Sequence, residues 1–186
     1  MILATGSLPD DSGFQRWLPG ADYLPGIENG GVWSPEEVLR RDAKLGPSVV
    51  LDDEGGNWRG LGTAWVLAEQ GKDVTIVTPE PLIGKELART SAEAPLRGRL
   101  ARRGVRVFTE HLIDHWSGDS VRIRNLLTGE TSDLPASALA LQPPTAPSIR
   151  CRAALPGRRS RLSATPPPPG RRLTPFTKGA RQGFAI

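Results

Sequence analysis

The sequence predicts an α/β fold built on a parallel sheet, and three features of residues 48–80 carry that prediction. Val49 to Leu51 is a short apolar run with the composition of a strand buried on both faces. Gly55, Gly56 and Gly60 follow it directly. Leu61 to Gln70 then carries apolar residues at helical spacing, Gly71 stands where that helix would end, and Val74 to Val77 is a second β-branched run. A crossover of this length makes the two strands parallel and right-handed. It aims the helix N-terminus at the carboxyl edge of the sheet, where the free N–H groups and the helix dipole suit a phosphate.

Within the glycine turn the spacing is that of a dinucleotide fingerprint, with departures. Counting back from Gly71, Gly60 takes the third glycine position and Gly55 the first, but Asn57 occupies the second. That position normally has no side chain, so that a pyrophosphate can approach the backbone. Thr78 stands where an acid would hold the ribose hydroxyls, with Glu80 two residues on. Asp52, Asp53 and Glu54 precede the turn and would repel a diphosphate unless they point elsewhere or engage sugar hydroxyls. The candidate cofactor-binding residues are Gly55, Gly56, Asn57 and Gly60, acting through backbone groups on NAD(P) or ADP. A turn that binds nothing stays open beside this reading. Trp58 is expected in the turn, beside an adenine or nicotinamide ring.

The remaining elements continue the α/β pattern. Ser34-Pro35-Glu36-Glu37 is a helix start, with Ser as N-cap, Pro at the first helical position and Glu37 completing a capping box. This helix is expected to run to about Lys44, with Gly46-Pro47 leading into the first strand. Pro95 predicts an irregular segment from Glu86 and a firm helix only over 96–102, closed by Gly104. Val105 to Phe108 reads as a third parallel strand. Val121, Ile123 and Asn125 alternate with Arg122 and Arg124, the pattern of an antiparallel strand with one solvated face, and Thr128-Gly129 turns the chain. Leu134 to Leu141 is expected to return to the sheet. His111 and His115 are four apart with Asp114 nearby, but no third ligand stands at a recognisable spacing. They read as part of a surface loop, and no metal site is expected. Arg97, Arg99, Arg102 and Arg103 read as a solvated helix face, and no G-x-S-x-G marks a nucleophile.

These residues resemble a known family. The run Val49 to Glu80 is similar to the C-terminal nucleotide-binding region of the NADH:flavin oxidoreductases of the trimethylamine dehydrogenase and 2,4-dienoyl-CoA reductase branch. Ile2-Leu3-Ala4-Thr5-Gly6-Ser7 resembles the strand end of the flavin-binding half of glutathione-reductase-like domains. Pro25-Gly26-Ile27-Glu28 and Ser34-Pro35-Glu36-Glu37-Val38-Leu39 resemble the passage into the inserted nucleotide domain, so the likeness covers about residues 1 to 142. It implies a Rossmann-like dinucleotide-binding domain of the glutathione-reductase type, a parallel sheet plus a β-meander. Residues 1–33 would be a remnant of the flavin-binding domain, with Thr5 and Gly6 at an FAD remnant site. Residues 34–142 would be the inserted NAD(P)- or ADP-binding domain.

The resemblance also implies partners that this chain does not encode. Such enzymes resemble three modules, of which an N-terminal barrel holds FMN and the catalytic residues and a four-cysteine site holds a 4Fe-4S cluster. With one cysteine, Cys151, and 186 residues, the sequence supplies neither. The expected role is a fragment of an amine dehydrogenase, demethylase or enoyl reductase that begins inside the flavin domain, has no catalytic residue of its own and needs the missing barrel. The alternative is a non-catalytic module that binds an adenine nucleotide or nothing.

Charge divides the chain once more. Residues 1–142 carry 15 Lys or Arg and 20 Asp or Glu, whereas residues 143–186 carry nine basic residues and no acid. The net charge of +4 is therefore a property of the tail, and it does not argue for a nucleic-acid partner. Half of the 18 prolines also lie there, including Pro166 to Pro169, so disorder or polyproline II is expected. An interaction segment, a solvated tail and a shifted reading frame near Ala140 to Pro143 all fit its Arg, Pro, Ala and Gly bias. No stretch has the roughly 20 apolar residues of a membrane span and no signal peptide is evident. A cytoplasmic location without membrane partners is the expectation.

Overall fold

A computed structural model of the chain describes residues 7–9, 12–18, 20–142 and 145–147. Thr5, Gly6, Cys151 and nearly all of the basic tail lie outside the described residues. The centre is a five-stranded, all-parallel sheet of strands β2 (Val32–Trp33), β3 (Ser48–Asp52), β4 (Asp73–Val77), β5 (Arg106–Phe108) and β9 (Ala138–Leu141), in the order β2-β9-β3-β4-β5. An antiparallel meander, β6 (His111–Trp116), β7 (Ser120–Asn125) and β8 (Thr131–Pro135), follows β5. β1 (Ser7–Pro9) pairs with β10 (Thr145–Pro147), which brings the two ends of the described chain together.

Helices and meander cover opposite faces of the parallel sheet, and the pleat sorts the side chains between them. Val49, Leu51, Val74, Ile76, Ala138 and Ala140 pack with residues of α1 (Pro35–Leu39), α2 (Trp58–Glu69) and α3 (Glu93–Arg102). Val50, Val77, Leu139 and Leu141 pack instead with Ile113, Trp116, Val121 and Ile123 of the meander. Strands buried on both faces have to be nearly continuously apolar, which is why β3, β4 and β9 were legible as runs and β7 as an alternation.

The chain punctuation acts as the sequence predicts in two places. Gly71, at φ +76, closes α2, with its N–H donating to Ala68 O and the Lys72 N–H to Leu67 O. This satisfies carbonyls that the helix end would orphan. The capping box at α1 is complete: Ser34 Oγ accepts from the Glu37 N–H at 3.3 Å, and the Glu37 carboxylate accepts from the Ser34 N–H at 2.8 Å. Ser34→Ala should lower stability by about 1 kcal/mol, measured as a lower urea midpoint at unchanged slope.

Three expectations are corrected. α1 stops at Leu39 rather than near Lys44, because Arg41 enters the left-handed region at φ +64 and the Arg41 and Asp42 N–H groups bond back to Val38 O and Glu37 O. Helix α3 starts at Glu93, before Pro95 and not after it. Pro95 lies in its first turn, where the missing N–H has no helical partner to lose. His111 to His115 belong to strand β6, not to a surface loop. Leu112, Ile113 and Trp116 are buried from it, and its register shifts between Ile113 and His115.

Candidate functional site: the glycine turn and the crevice beside it

Strand β3 is where the sheet changes its direction of growth. From β3 the chain adds β4 and then β5 on one side, and β9 returns on the other. In open α/β sheets such a switch leaves a crevice outside the carboxyl ends of the two diverging strands. The glycine turn 53–57 leaves β3 at this point, and α2 starts from it, so the α2 N-terminus faces the crevice.

Asn57 is the N-cap of α2 and not part of an open loop. Its Oδ1 accepts from the Arg59 N–H at 2.9 Å and from Gln142 Nε2 at 2.8 Å. Gln142 is the residue just after β9, and it is 1% exposed. Its carboxamide lies over the glycines. A Cβ on Gly55 would come within 2.1 Å of Gln142 Nε2, and one on Gly60 within 2.1 Å of Gln142 Oε1 and 2.5 Å of Asp53 Oδ1. The absence of side chains at Gly55 and Gly60 thus makes room for Gln142 and Asp53 themselves.

The loop after β4 closes the other side of the turn. The Gly84 N–H donates to Asp53 Oδ2 at 3.2 Å and the Glu86 N–H to Gly56 O at 2.9 Å. Lys85 pairs with Glu80. Thr78 is buried, with its Oγ1 donating to Asp53 O at 3.0 Å and its N–H to Phe108 O at 2.9 Å. It ties strand ends together at the position where a ribose-binding acid stands in the fingerprint. Trp58 is the first residue of α2 rather than a turn residue, and it is 54% exposed.

The three acids before the turn are turned into the protein. Asp52, Asp53 and Glu54 are each at most 2% exposed. Glu54 Oε1 accepts from the Arg16 N–H at 2.8 Å and Arg16 Nε at 3.1 Å. Burial pushes the Asp53 carboxyl up to about 7, against the pull of the Gly84 and Gly56 N–H groups. Asp52 is also raised well above the usual carboxylate range, first by burial and then by the charges of Glu54 and Asp53.

Arg59 Nη2, in the first turn of α2, makes no hydrogen bond but is ion-paired with Glu36 Oε1 at 2.7 Å, and four other buried atoms at the turn are left without any partner. Asp52 Oδ1, Asp53 Oδ1, Glu54 Oε2 and Gln142 Oε1 are buried without a partner. All four are oxygens. In this conformation the crevice asks for hydrogen-bond donors or protons, so it does not fit the diphosphate for which Gly55, Gly56, Asn57 and Gly60 were singled out. Of those four, Gly55, Asn57 and Gly60 meet around Gln142, whereas Gly56 turns at φ +59 against Lys85. Sequence reading missed Gln142. Its one signal was a polar residue directly after the apolar run Ala138 to Leu141, and nothing local shows that β9 lies beside β3. Among the described residues no group of three or more His, Cys, Asp or Glu could hold a metal ion, and no helix is long and apolar enough to cross a membrane.

No known sequence family and no curated protein matches the chain. Solved structures do. The 6-hydroxypseudooxynicotine amine oxidase of Pseudomonas geniculata N1 is 25% identical at a TM-score of 0.70, over 77% of this chain and 21% of that one. Histamine dehydrogenase of Rhizobium sp. 4-9 is 21% identical at 0.73, over 81% and 23%. A 2-naphthoyl-CoA reductase is 24% identical at 0.66, over 81% and 21%. Flavoprotein disulfide reductases are among the further matches. The chain thus spans about a fifth of the length of these proteins, and over that span it shares their α/β fold, a parallel sheet with an antiparallel meander.

Proposed function

We propose that this chain is the adenine-nucleotide-binding part of a flavin-dependent oxidoreductase, the nucleotide being NAD(P) or ADP. The observation that carries the reading is the placement of the α2 N-terminus, behind a turn with glycines at 55, 56 and 60, at the crevice where β3 and β9 part. Residues 34–142 form the nucleotide-binding portion in this reading. The segment before them, with Thr5 and Gly6, is the remnant of an FAD-binding half. The reaction of the whole enzyme would be amine oxidation or demethylation, or enoyl reduction. Its FMN and catalytic groups would belong to an N-terminal barrel module and its 4Fe-4S cluster to a four-cysteine site, which the one cysteine of this chain does not supply.

A specific observation favours a second reading, a scaffold that binds no nucleotide: the glycine hollow is filled by Gln142 and Asp53. Calorimetric titration of the 186-residue chain with ADP and NADH separates the two. The first reading expects saturable one-to-one binding of ADP or NADH. A ligand at 100 times its dissociation constant should add about 2.7 kcal/mol of stability, which the melting curve reports. No heat and no shift at millimolar concentrations of both would leave the scaffold reading.

A further inference from the structure

Asp53 and Gln142 each have one polar side-chain atom fixed and one left over. Asp53 Oδ2 accepts from the Gly84 N–H at 3.2 Å, and Gln142 Nε2 donates to Asn57 Oδ1 at 2.8 Å. Asn57 Oδ1 is itself held as an acceptor by the Arg59 N–H at 2.9 Å, so it is the nitrogen of the Gln142 carboxamide that belongs on its side. The atoms left over, Asp53 Oδ1 and Gln142 Oε1, are both buried without a partner. They converge on one spot, since an added Gly60 Cβ would lie 2.5 Å from the first and 2.1 Å from the second. Two acceptors that have lost their water and face one another are costly. One proton removes the conflict, because a neutral carboxyl is an O–H donor and a carboxamide oxygen accepts it.

No cation takes the place of that proton among the described residues. At its own strand end Asp53 is flanked by Asp52 and by Glu54, which is paired with Arg16. On α2, Arg59 is paired with Glu36, and on the loop after β4 Lys85 is paired with Glu80 and Arg89 with Glu86. From the meander, His111 is tied to this strand end by its backbone N–H, which donates to Thr78 O at 3.0 Å, while its Nδ1 lies 2.6 Å from Thr109 O. We propose that Asp53 and Gln142 form a proton-keyed latch: neutral Asp53 donates its Oδ1–H to Gln142 Oε1, which completes a chain of hydrogen bonds joining the ends of β3 and β9 to the N-cap of α2. When the proton leaves to solvent, the carboxamide turns over, gives its Nε2 to the Asp53 carboxylate and surrenders Asn57. Asn57 goes on capping α2 through the Arg59 N–H. The Asp53 carboxyl, pushed up to about 7 by burial, sets this change near neutral pH. The latch requires no ligand at the turn, so it stands apart from the nucleotide reading.

The test is an NMR titration of the full chain from pH 5 to pH 9 that follows the Asp53 carboxyl carbon and the Gln142 side-chain amide together. Both should move with one shared midpoint near 7, as Gln142 changes partner. In Asp53→Asn, whose side-chain N–H stands in for the carboxyl proton at every pH, the Gln142 amide should no longer titrate. A Gln142 amide that stays in place while Asp53 titrates overturns the latch, as does an Asp53 carboxyl already ionised at pH 5. Both of these readings come from the wild-type chain and do not depend on how the variant folds. A Gln142 amide that still moves in Asp53→Asn answers to another group, such as His111, and overturns the latch as well.

Discussion

Asp53→Asn should stabilise the protein at pH 8 and flatten the dependence of its stability on pH. Asp53 is fully buried at the end of β3, and its folded-state carboxyl is pushed to about 7 from an ordinary 3.8. Between those values the folded chain holds a proton that the unfolded chain has released. Stability is therefore fully present below about pH 4 and is lost as the pH rises through 7. The loss from this group is on the order of 4 kcal/mol. Asp52, raised in the same direction, contributes with the same sign. Around Asp53 stand Asp52 and Glu54 on its own strand end, with the Lys85–Glu80 pair on the loop after β4. Asparagine removes the charge and keeps an oxygen for the Gly84 and Gly56 N–H groups. It also adds an N–H on the side of the orphaned Gln142 Oε1. Urea unfolding at pH 5, 6, 7 and 8 should show the wild-type midpoint falling across the series and that of Asp53→Asn falling less, with the variant ahead by about 2 kcal/mol at pH 8. A variant less stable than wild type at pH 8, or a wild-type midpoint that climbs from pH 5 to 8, would refute the assignment.

Gly26→Ala should be among the most damaging single-atom additions to this chain. Gly26 sits at φ +87, and a Cβ there would lie 1.8 Å from the carbonyl oxygen of Trp116 and 2.8 Å from its carbonyl carbon. Both are backbone atoms and cannot rotate aside. The two segments are laced together at this point. The Trp116 N–H donates to Pro25 O at 2.9 Å, Asn29 Nδ2 donates to Trp116 O at 3.0 Å and Trp116 Nε1 donates to Gly30 O at 2.6 Å. Trp116 is fully buried between the meander and the parallel sheet. Forcing the segments apart costs the left-handed strain of an alanine and at least one or two of these bonds, about 3 kcal/mol together. Gly129→Ala is the control. Gly129 is also left-handed, at φ +75, but a Cβ there meets nothing within 4 Å, so only the strain of about 1–2 kcal/mol remains. Equal losses in chemical denaturation would show that the contact with Trp116 is not what requires glycine at position 26.

Legibility followed the range of the interactions. The strand runs 49–51, 74–77 and 138–141 were readable because a strand covered on both faces must be apolar throughout. The caps at Ser34, Gly71 and Gly104 were readable because they act within one helical turn. Pro95 misled because the same residue breaks a helix interior and suits a first turn, and only the position of Ala92 as N-cap decides between them. The early stop of α1 at a left-handed Arg41 carries no residue-type signal, since arginine is an uncommon choice there.

The candidate site divides along the same line. Sequence alone determined that residues 48–77 make strand, glycine turn, helix and strand, because hydrophobic period and chirality leave few other ways to bury those faces. Which atoms fill that turn was decided only in three dimensions. Gln142 reaches Asn57 across 85 positions of chain because β9 pairs with β3, and a parallel pairing is chosen by the packing of the whole sheet rather than by the residues at its end.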